Sequence, residues 1–228
     1  GYPDSKEFKT FFPTDVLETA GEIIFFWVSR MIMLSLYVTG KAPFKNVYLH
    51  GLVLDAKGKK MSKSKSNVIN PLAIIDKFGT DAFRMALVVG NTPGTSLALA
   101  EDKIKAYRNF ANKLWNISRF VLSQERAGEI KTDLKEEFDA LARDVTQDME
   151  NFRFYLAAEK LYAYLWHTFA DKIIEESKGK PEYSASLYYI LENSLKLLHP
   201  FMPFITEEIW QELRPGESLL MVEAWPKL

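Results

Sequence analysis

Five lysines, Lys57, Lys59, Lys60, Lys63 and Lys65, fall within nine residues, interleaved with the hydroxyls of Ser62 and Ser64. Ammonium groups on flexible stems can follow a polyphosphate as its charge moves, and serines add hydrogen-bond donors. Nothing in residues 58–67 can act as a base near neutral pH, and the one histidine near them is His50. The chemistry open to this stretch is therefore stabilisation of negative charge rather than proton transfer. Most lysine clusters are solvated turns. The string Lys60-Met61-Ser62-Lys63-Ser64 is more specific, because a given five-residue string is expected about once in ten thousand chains of this length.

The elements around the lysines read as a strand–helix–strand unit. Asp15 to Glu18 forms a short strand, and Glu22 to Tyr37 a helix whose Ile23, Phe26, Trp27, Met31 and Leu34 recur at spacings of three and four. Ile23 and Trp27 are four apart and share a face, which by spacing alone makes them core residues. Asn46 to Leu54 is a second strand, apolar enough to be buried on both faces, and it runs directly into the lysines. A loop after a buried parallel strand is where open α/β sheets hold their ligands. Asn70-Pro71 then starts a helix, Gly79 stops it, and Asp81 to Val89 forms another that ends at Gly90.

The turn cluster Asn91-Thr92-Pro93-Gly94-Thr95 marks a boundary, giving domains over 1–95 and 96–228. Beyond it the periodicity is helical: Glu101 to Leu122, Asp133 to Glu150, Phe152 to Glu176, Tyr183 to Leu198 and Ile205 to Leu213, with short links that make a bundle. The chain is predominantly helical overall. Its 228 residues suit one large or two small domains, and 47% hydrophobic with 26% charged residues is an ordinary globular composition. There is no cysteine, which excludes disulfides, thiolate metal sites and cysteine nucleophiles. The apolar stretch from Ile23 to Tyr37 is broken by Ser29, Arg30 and Ser35 and reads as too short and too polar to span a bilayer. With no basic leader before it, a soluble cytoplasmic protein with no membrane partner is expected. The net charge of −1 hides a division: residues 1–100 carry twelve Lys and Arg against eight Asp and Glu, and the remainder seventeen against twenty-two.

The string 60–64 after a strand resembles the second signature of the class I aminoacyl-tRNA synthetases. Residues 12–19, 23–33, 43–53, 108–116 and 199–210 resemble the valyl branch of that family, so the likeness runs through essentially the whole chain. The resemblance implies a partial Rossmann-like nucleotide-binding fold followed by an all-α anticodon-binding bundle. It also implies an activity: valine and ATP form valyl-adenylate, and the valyl group passes to valine tRNA. In that scheme Lys63 is the main contact on the triphosphate and Lys60 stands beside it. Met61, Ser62, Ser64, His50 and Gly51 complete the ATP site, with Mg²⁺ arriving with ATP and no metal bound by the protein. Glu22 faces the adenylate ribose, while Ile23 and Trp27 form the wall against the valine side chain. The expected partners are ATP, valine and tRNA, and the expected state is a monomer.

There are departures from the family pattern. Ala20-Gly21-Glu22 stands where Gly-x-Asp is usual, Lys65-Ser66-Asn67 where Lys-Gly-Asn is commoner, and Ser96 to Leu99 lacks an Asp-Arg pair. The first class signature, His-x-Gly-His, does not occur, the histidines being His50, His167 and His199. The resemblance is thus to the later part of a catalytic domain plus the bundle, which should not aminoacylate alone. His50 is expected at a strand end, His199 at a helix end and His167 packed against the bundle. Because the bundle is acidic, tRNA binding needs a local basic strip, and Arg108, Lys113, Trp115 and Arg119 with Lys105 on the first bundle helix could supply it. Trp115, Trp166 and Trp210 equally fit the core. An isoleucyl or leucyl relative, a synthetase-derived RNA-binding module, and a generic α/β nucleotide-binding protein remain as alternative readings.

Overall fold

The computed structural model describes residues 2–55, 57–61 and 68–227. It contains two compact units, one of residues 1–60 with 91–98, the other of 61–90 with 99–228.

In the first unit, α1 (Lys6–Phe11) opens with the Ser5 side chain accepting the Phe8 N–H at 3.1 Å. β1 (Thr14–Ala20) and β2 (Phe44–His50) pair in parallel, Thr14 opposite Phe44 and Ala20 opposite His50. The helical crossover between them starts as a 3₁₀ turn, Gly21–Ile23, widens to a π-helix, Ile24–Val28, and becomes α-helical only in α2 (Ser29–Thr39). Gly40, at φ 71, ends it and donates its N–H to the Leu36 carbonyl. The strand–helix–strand order expected from the sequence is present, with three differences. The first strand is longer at both ends. The helix is not uniform, because residues at spacings of three and four are compatible with a widened turn as well as with a regular one. And the apolar run 46–54 is not a single strand.

That run breaks at Gly51, after which β3 (Val53–Leu54) pairs in parallel with β4 (Leu97–Ala98). The returning chain explains the break: Gly94 donates to the Leu49 carbonyl and Leu97 to the Leu52 carbonyl, each at 2.8 Å. A Cβ at position 51 would lie 1.6 Å from the Thr95 carbonyl oxygen, so only glycine fits there. The expected burial of this strand on both faces is not found. Lys45, Asn46 and Val47 are exposed, since two strands with one crossover cover neither face fully. Ile23 and Trp27, 39% and 56% exposed, are not core residues either. The helical run Gly21–Thr39 is, by length and composition, long and apolar enough to cross a membrane, which corrects the expectation that it is too short. Here it is the crossover between parallel strands.

In the second unit, α3 (Pro71–Phe78) begins at Asn70, whose side chain accepts the Leu72 N–H at 3.1 Å, with Pro71 at the first helical position. α4 (Thr80–Val88) follows after Gly79 alone. α5 (Glu101–Leu122) buries Ile104, Tyr107, Phe110, Leu114, Ile117 and Val121 along one stripe. α6 (Thr132–Glu150) turns back through Phe152, at φ 58, into α7 (Phe154–Ala163). The buried Asp148 fixes that turn by pairing with Arg153 and Lys160, each at 2.8 Å. α7 runs on as a π-helix, Tyr164–Ile174, and ends in α8 (Glu175–Ser177), so the single helix expected over 152–176 starts two residues later and is π-helical through its middle. α9 (Ser184–Leu198) and α10 (Pro203–Leu213) complete the bundle. Ile74, Phe78, Met85 and Ala86 of α3 and α4 share one core with Phe110, Phe138, Leu165, Leu191 and Trp210. The fold is a partial Rossmann-like α/β part and a helical bundle, as expected.

Candidate functional site

The parallel register of β1 and β2 brings two chain segments to one edge of the sheet. Where β1 ends at Ala20 the turn carries Glu22, and opposite Ala20 β2 ends with His50 and Gly51. His50 lies at the strand end as expected, its Nε2 3.5 Å from Glu18 Oε1 and its Nδ1 3.0 Å from the Gly51 carbonyl oxygen. Lys60 reaches this edge, with Nζ 3.1 Å from Glu22 Oε1 and 3.4 Å from Oε2. Glu22 and Lys60, 38 positions apart, thus meet just past the end of β1, and His50 ends the neighbouring strand β2.

The start of the lysine stretch is held by a residue that the sequence reading passed over. Asp55 accepts the N–H groups of Lys57 and Lys59 on Oδ1, each at 2.9 Å, and exchanges backbone hydrogen bonds with Lys59 and Gly58. Gly58 sits at φ 73, and Lys60 bridges back to Leu54. The signal was present, since an aspartate three residues before a glycine is a turn sequence. Met61 is half-buried. Ser62, Lys63 and Ser64, with Lys65 to Asn67, lie outside the described residues. Ile23 and Trp27 are solvent-exposed on the crossover that follows Glu22.

On the bundle, the proposed basic strip divides. Trp115 and Arg119 line one cavity of about 510 Å³ with Ser118, Leu122, Ser123 and Glu212. Arg108 donates to the Lys77 carbonyl at 3.2 Å. Lys113 is on another flank of α5, paired to Asp171 Oδ1 at 2.6 Å and standing 4.3 Å above the Trp166 ring. The hydrogen bond from Lys113 holds the Asp171 carboxyl below its usual range. The four residues therefore do not form one continuous surface, because residues 108, 115 and 119 follow the helical repeat and 113 does not. His167, expected to pack against the bundle, is 65% exposed in its side chain and lies 3.7 Å from Asp171. His199 does end α9, its Nδ1 2.8 Å from Thr206 Oγ1. Trp210 is core, with Nε1 donating to the Ser218 carbonyl, whereas Trp115 and Trp166 are half-buried at the core's margin. Among the described residues, no group of three or more histidines and carboxylates is placed to hold a metal ion.

Comparison with known proteins places these features. Residues 1–99 match the family of tRNA synthetases class I (I, L, M and V), and residues 132–228 match the anticodon-binding domain of tRNA ligase. The chain is 43% identical to the valine–tRNA ligase of Clostridium acetobutylicum, over 99% of this chain and 28% of that protein. It is 46% identical to that of Dehalococcoides mccartyi strain CBDB1, over 94% of this chain and 26% of the relative. The chain therefore spans about a quarter of the length of these relatives. Among solved structures, the Agrobacterium radiobacter K84 LeuRS in a ternary complex with tRNA and LeuAMS superposes with a TM-score of 0.81 at 26% identity, covering 98% of this chain and 30% of that one. Mycobacterium tuberculosis methionyl-tRNA synthetase bound by methionyl-adenylate, at 20% identity and a TM-score of 0.76, covers 99% of this chain and 53% of that one and shares the fold.

Proposed function

The chain belongs to the class I tRNA synthetases, and from that membership we propose that it is part of a valine–tRNA ligase, contributing the phosphate-binding lysines and the tRNA-binding bundle. The observation that carries this reading is the meeting of Lys60 and Glu22 at the ends of two parallel strands, directly before the lysine–serine string. Identity of 43% to 46% to valine–tRNA ligases supports valine as the amino acid.

The reaction asks for what these residues offer. A carboxylate oxygen of valine attacks the α-phosphorus of ATP, a new O–P bond forms, and the bond to the β-phosphate breaks as pyrophosphate leaves. ATP enters as its magnesium complex. Charge builds on the departing pyrophosphate, and Lys60 and Lys63 neutralise it without giving up protons. Glu22 holds Lys60 at the strand end until the triphosphate competes for the ammonium, after which the carboxylate is free to accept a ribose hydroxyl. His50 and Gly51 border the adenosine. Ile23 and Trp27 supply an apolar wall for a small branched side chain. A ribose hydroxyl at the tRNA terminus then attacks the valyl carbonyl carbon and AMP leaves. The bundle holds the tRNA, with Arg119 and Trp115 offering a cation and a ring to phosphate and base. The protein is read as cytoplasmic and monomeric.

The test is amino-acid-dependent ATP–pyrophosphate exchange by the full-length protein with valine, isoleucine and leucine in turn. Exchange with valine at a kcat/KM far above the other two is expected. Preference for isoleucine or leucine would replace the valine assignment, and exchange with none of them would overturn the reading.

A further inference from the structure

β3 is anchored by its pairing with β4, and the chain beyond it doubles back, so that Lys60 bridges to Leu54 in the antiparallel sense. Asp55 stands at the reversal. Its Oδ1 accepts the N–H groups of Lys57 and Lys59, each at 2.9 Å, its own N–H donates to the Lys59 carbonyl at 2.9 Å, and its carbonyl accepts the Gly58 N–H at 2.8 Å. Each of these bonds has Asp55 as one partner. Gly58, at φ 73, supplies the left-handed residue inside the turn. A Cβ there would meet nothing within 4 Å, so the demand for glycine is conformational rather than one of space.

The reversal decides where Lys60 stands. Its ammonium meets Glu22 at 3.1 Å, but the two side chains are 64% and 58% exposed. An exposed pair is weak, because solvent screens it and two long side chains must be ordered to make it. The contact therefore registers the lysine's position more than it creates it. What carries the Lys60 backbone to the end of β1 is the hairpin of residues 54–60, which lies in the same compact unit as β1 and Glu22.

We propose that Asp55 is a positioning residue for adenylate formation: by closing the chain between residues 55 and 59 on its carboxylate, it holds the Lys60 ammonium beside Glu22 at the strand end, ready for the triphosphate. The proposal rests on the reading of Lys60 as a triphosphate contact. Asp55 acts through Lys60 and not on the substrate. What it contributes is an acceptor oxygen rather than a charge, so an amide oxygen in the same place should serve nearly as well. Charge-stabilising contacts tolerate displacement poorly, and an ångström can cost up to about a hundredfold in rate.

The experiment compares Asp55→Ala, Asp55→Asn, Gly58→Ala, Lys60→Ala and the double variant Asp55→Ala/Lys60→Ala with the parent, all in the full-length protein. Asp55→Ala is expected to lower the turnover of valine-dependent exchange about tenfold, and by no more than Lys60→Ala does. The KM for valine should stay within about twofold and the melting temperature within a degree or two. Asp55→Asn should recover most of the loss, and Gly58→Ala, which strains the same turn from the backbone, should reproduce part of it. In the Lys60→Ala background, Asp55→Ala should cost no more than about a further twofold, since nothing is left for it to position. Trypsin should cut Asp55→Ala faster than the parent after Lys57 and Lys59. Parental exchange in Asp55→Ala overturns the proposal, as does an Asp55→Asn variant as slow as Asp55→Ala, or a double variant about tenfold slower than Lys60→Ala alone. A melting temperature that falls together with exchange in Asp55→Ala marks a merely structural role and overturns it too. A parent that lacks exchange with valine, but whose Asp55→Ala variant still gains trypsin sensitivity, would instead indict the assigned function.

Discussion

Lys60 and Glu22 meet across 38 residues of chain, Nζ to Oε1 at 3.1 Å, with both side chains more than half exposed. An exposed pair of this kind contributes no more than about 1 kcal/mol to stability. Its value is in where it leaves the ammonium. Lys60→Ala in the full-length protein should leave the melting temperature within a degree or two and slow valine-dependent exchange. Lys63→Ala, which removes the main phosphate contact the family likeness implies, should slow it by about a hundred- to a thousandfold while leaving valine binding nearly intact. Equal exchange rates in mutant and parent would refute the role of either lysine.

Gly51 tests the geometry of the strand end. Because a Cβ there would overlap the Thr95 carbonyl, Gly51→Ala must push residues 95–96 away and break the pairing of β3 with β4. A cost of about 1–3 kcal/mol or more is expected. Chemical denaturation would show it as a lowered midpoint. An unchanged midpoint would mean that the return strand does not lie where it is described.

The parts of this fold that depend on neighbouring residues were legible, and those that depend on distant ones were not. Asn70, Pro71 and Gly79 mark the ends of α3 through local capping, and the buried stripe of α5 follows from its own periodicity. The break at Gly51 is set by a chain segment more than forty residues later, so the apolar run 46–54 looked continuous. The π-helical turns at Ile24–Val28 and Tyr164–Ile174 also escaped, because their apolar spacing resembles that of ordinary helices. Of the site, the lysine string and Glu22 could be named from sequence, but not their contact. Asp81 gave no sign of capping α10, since its partners are backbone groups and carry no residue identity.

The bundle's cations should differ in what they do to tRNA binding. Arg119, beside the Trp115 cavity, is placed to meet a phosphate, so Arg119→Ala should weaken binding and reduce the salt slope by about one. Lys113 is already opposed by Asp171. Removing that carboxylate with Asp171→Asn releases the ammonium and deletes a repulsive charge, and should tighten binding, whereas Lys113→Ala should weaken it. Filter-binding titrations across a salt series would decide this. Identical affinities and slopes in all three variants would remove α5 from the tRNA surface.

Tyr107, buried on α5 against the bundle core, gives a stability signature at high pH. Burial pushes its hydroxyl up from the ordinary value of 10.0 to about 12, with Tyr162 and Glu159 adding to the shift. In the unfolded chain the phenol ionises near 10, and in the folded chain it stays neutral for about two further units. The folded-state value is the higher one, so the contribution is fully present below pH 10 and is lost as pH rises from 10 towards 12. Tyr107→Phe cannot ionise in either state and removes this component. Its stability should therefore fall less steeply than the parent's over that range in denaturant titrations followed by circular dichroism. Absorbance at the phenolate band should show one tyrosine fewer titrating with unfolding. Parallel pH profiles for the two proteins would show that Tyr107 is solvated, and that α5 does not pack as described.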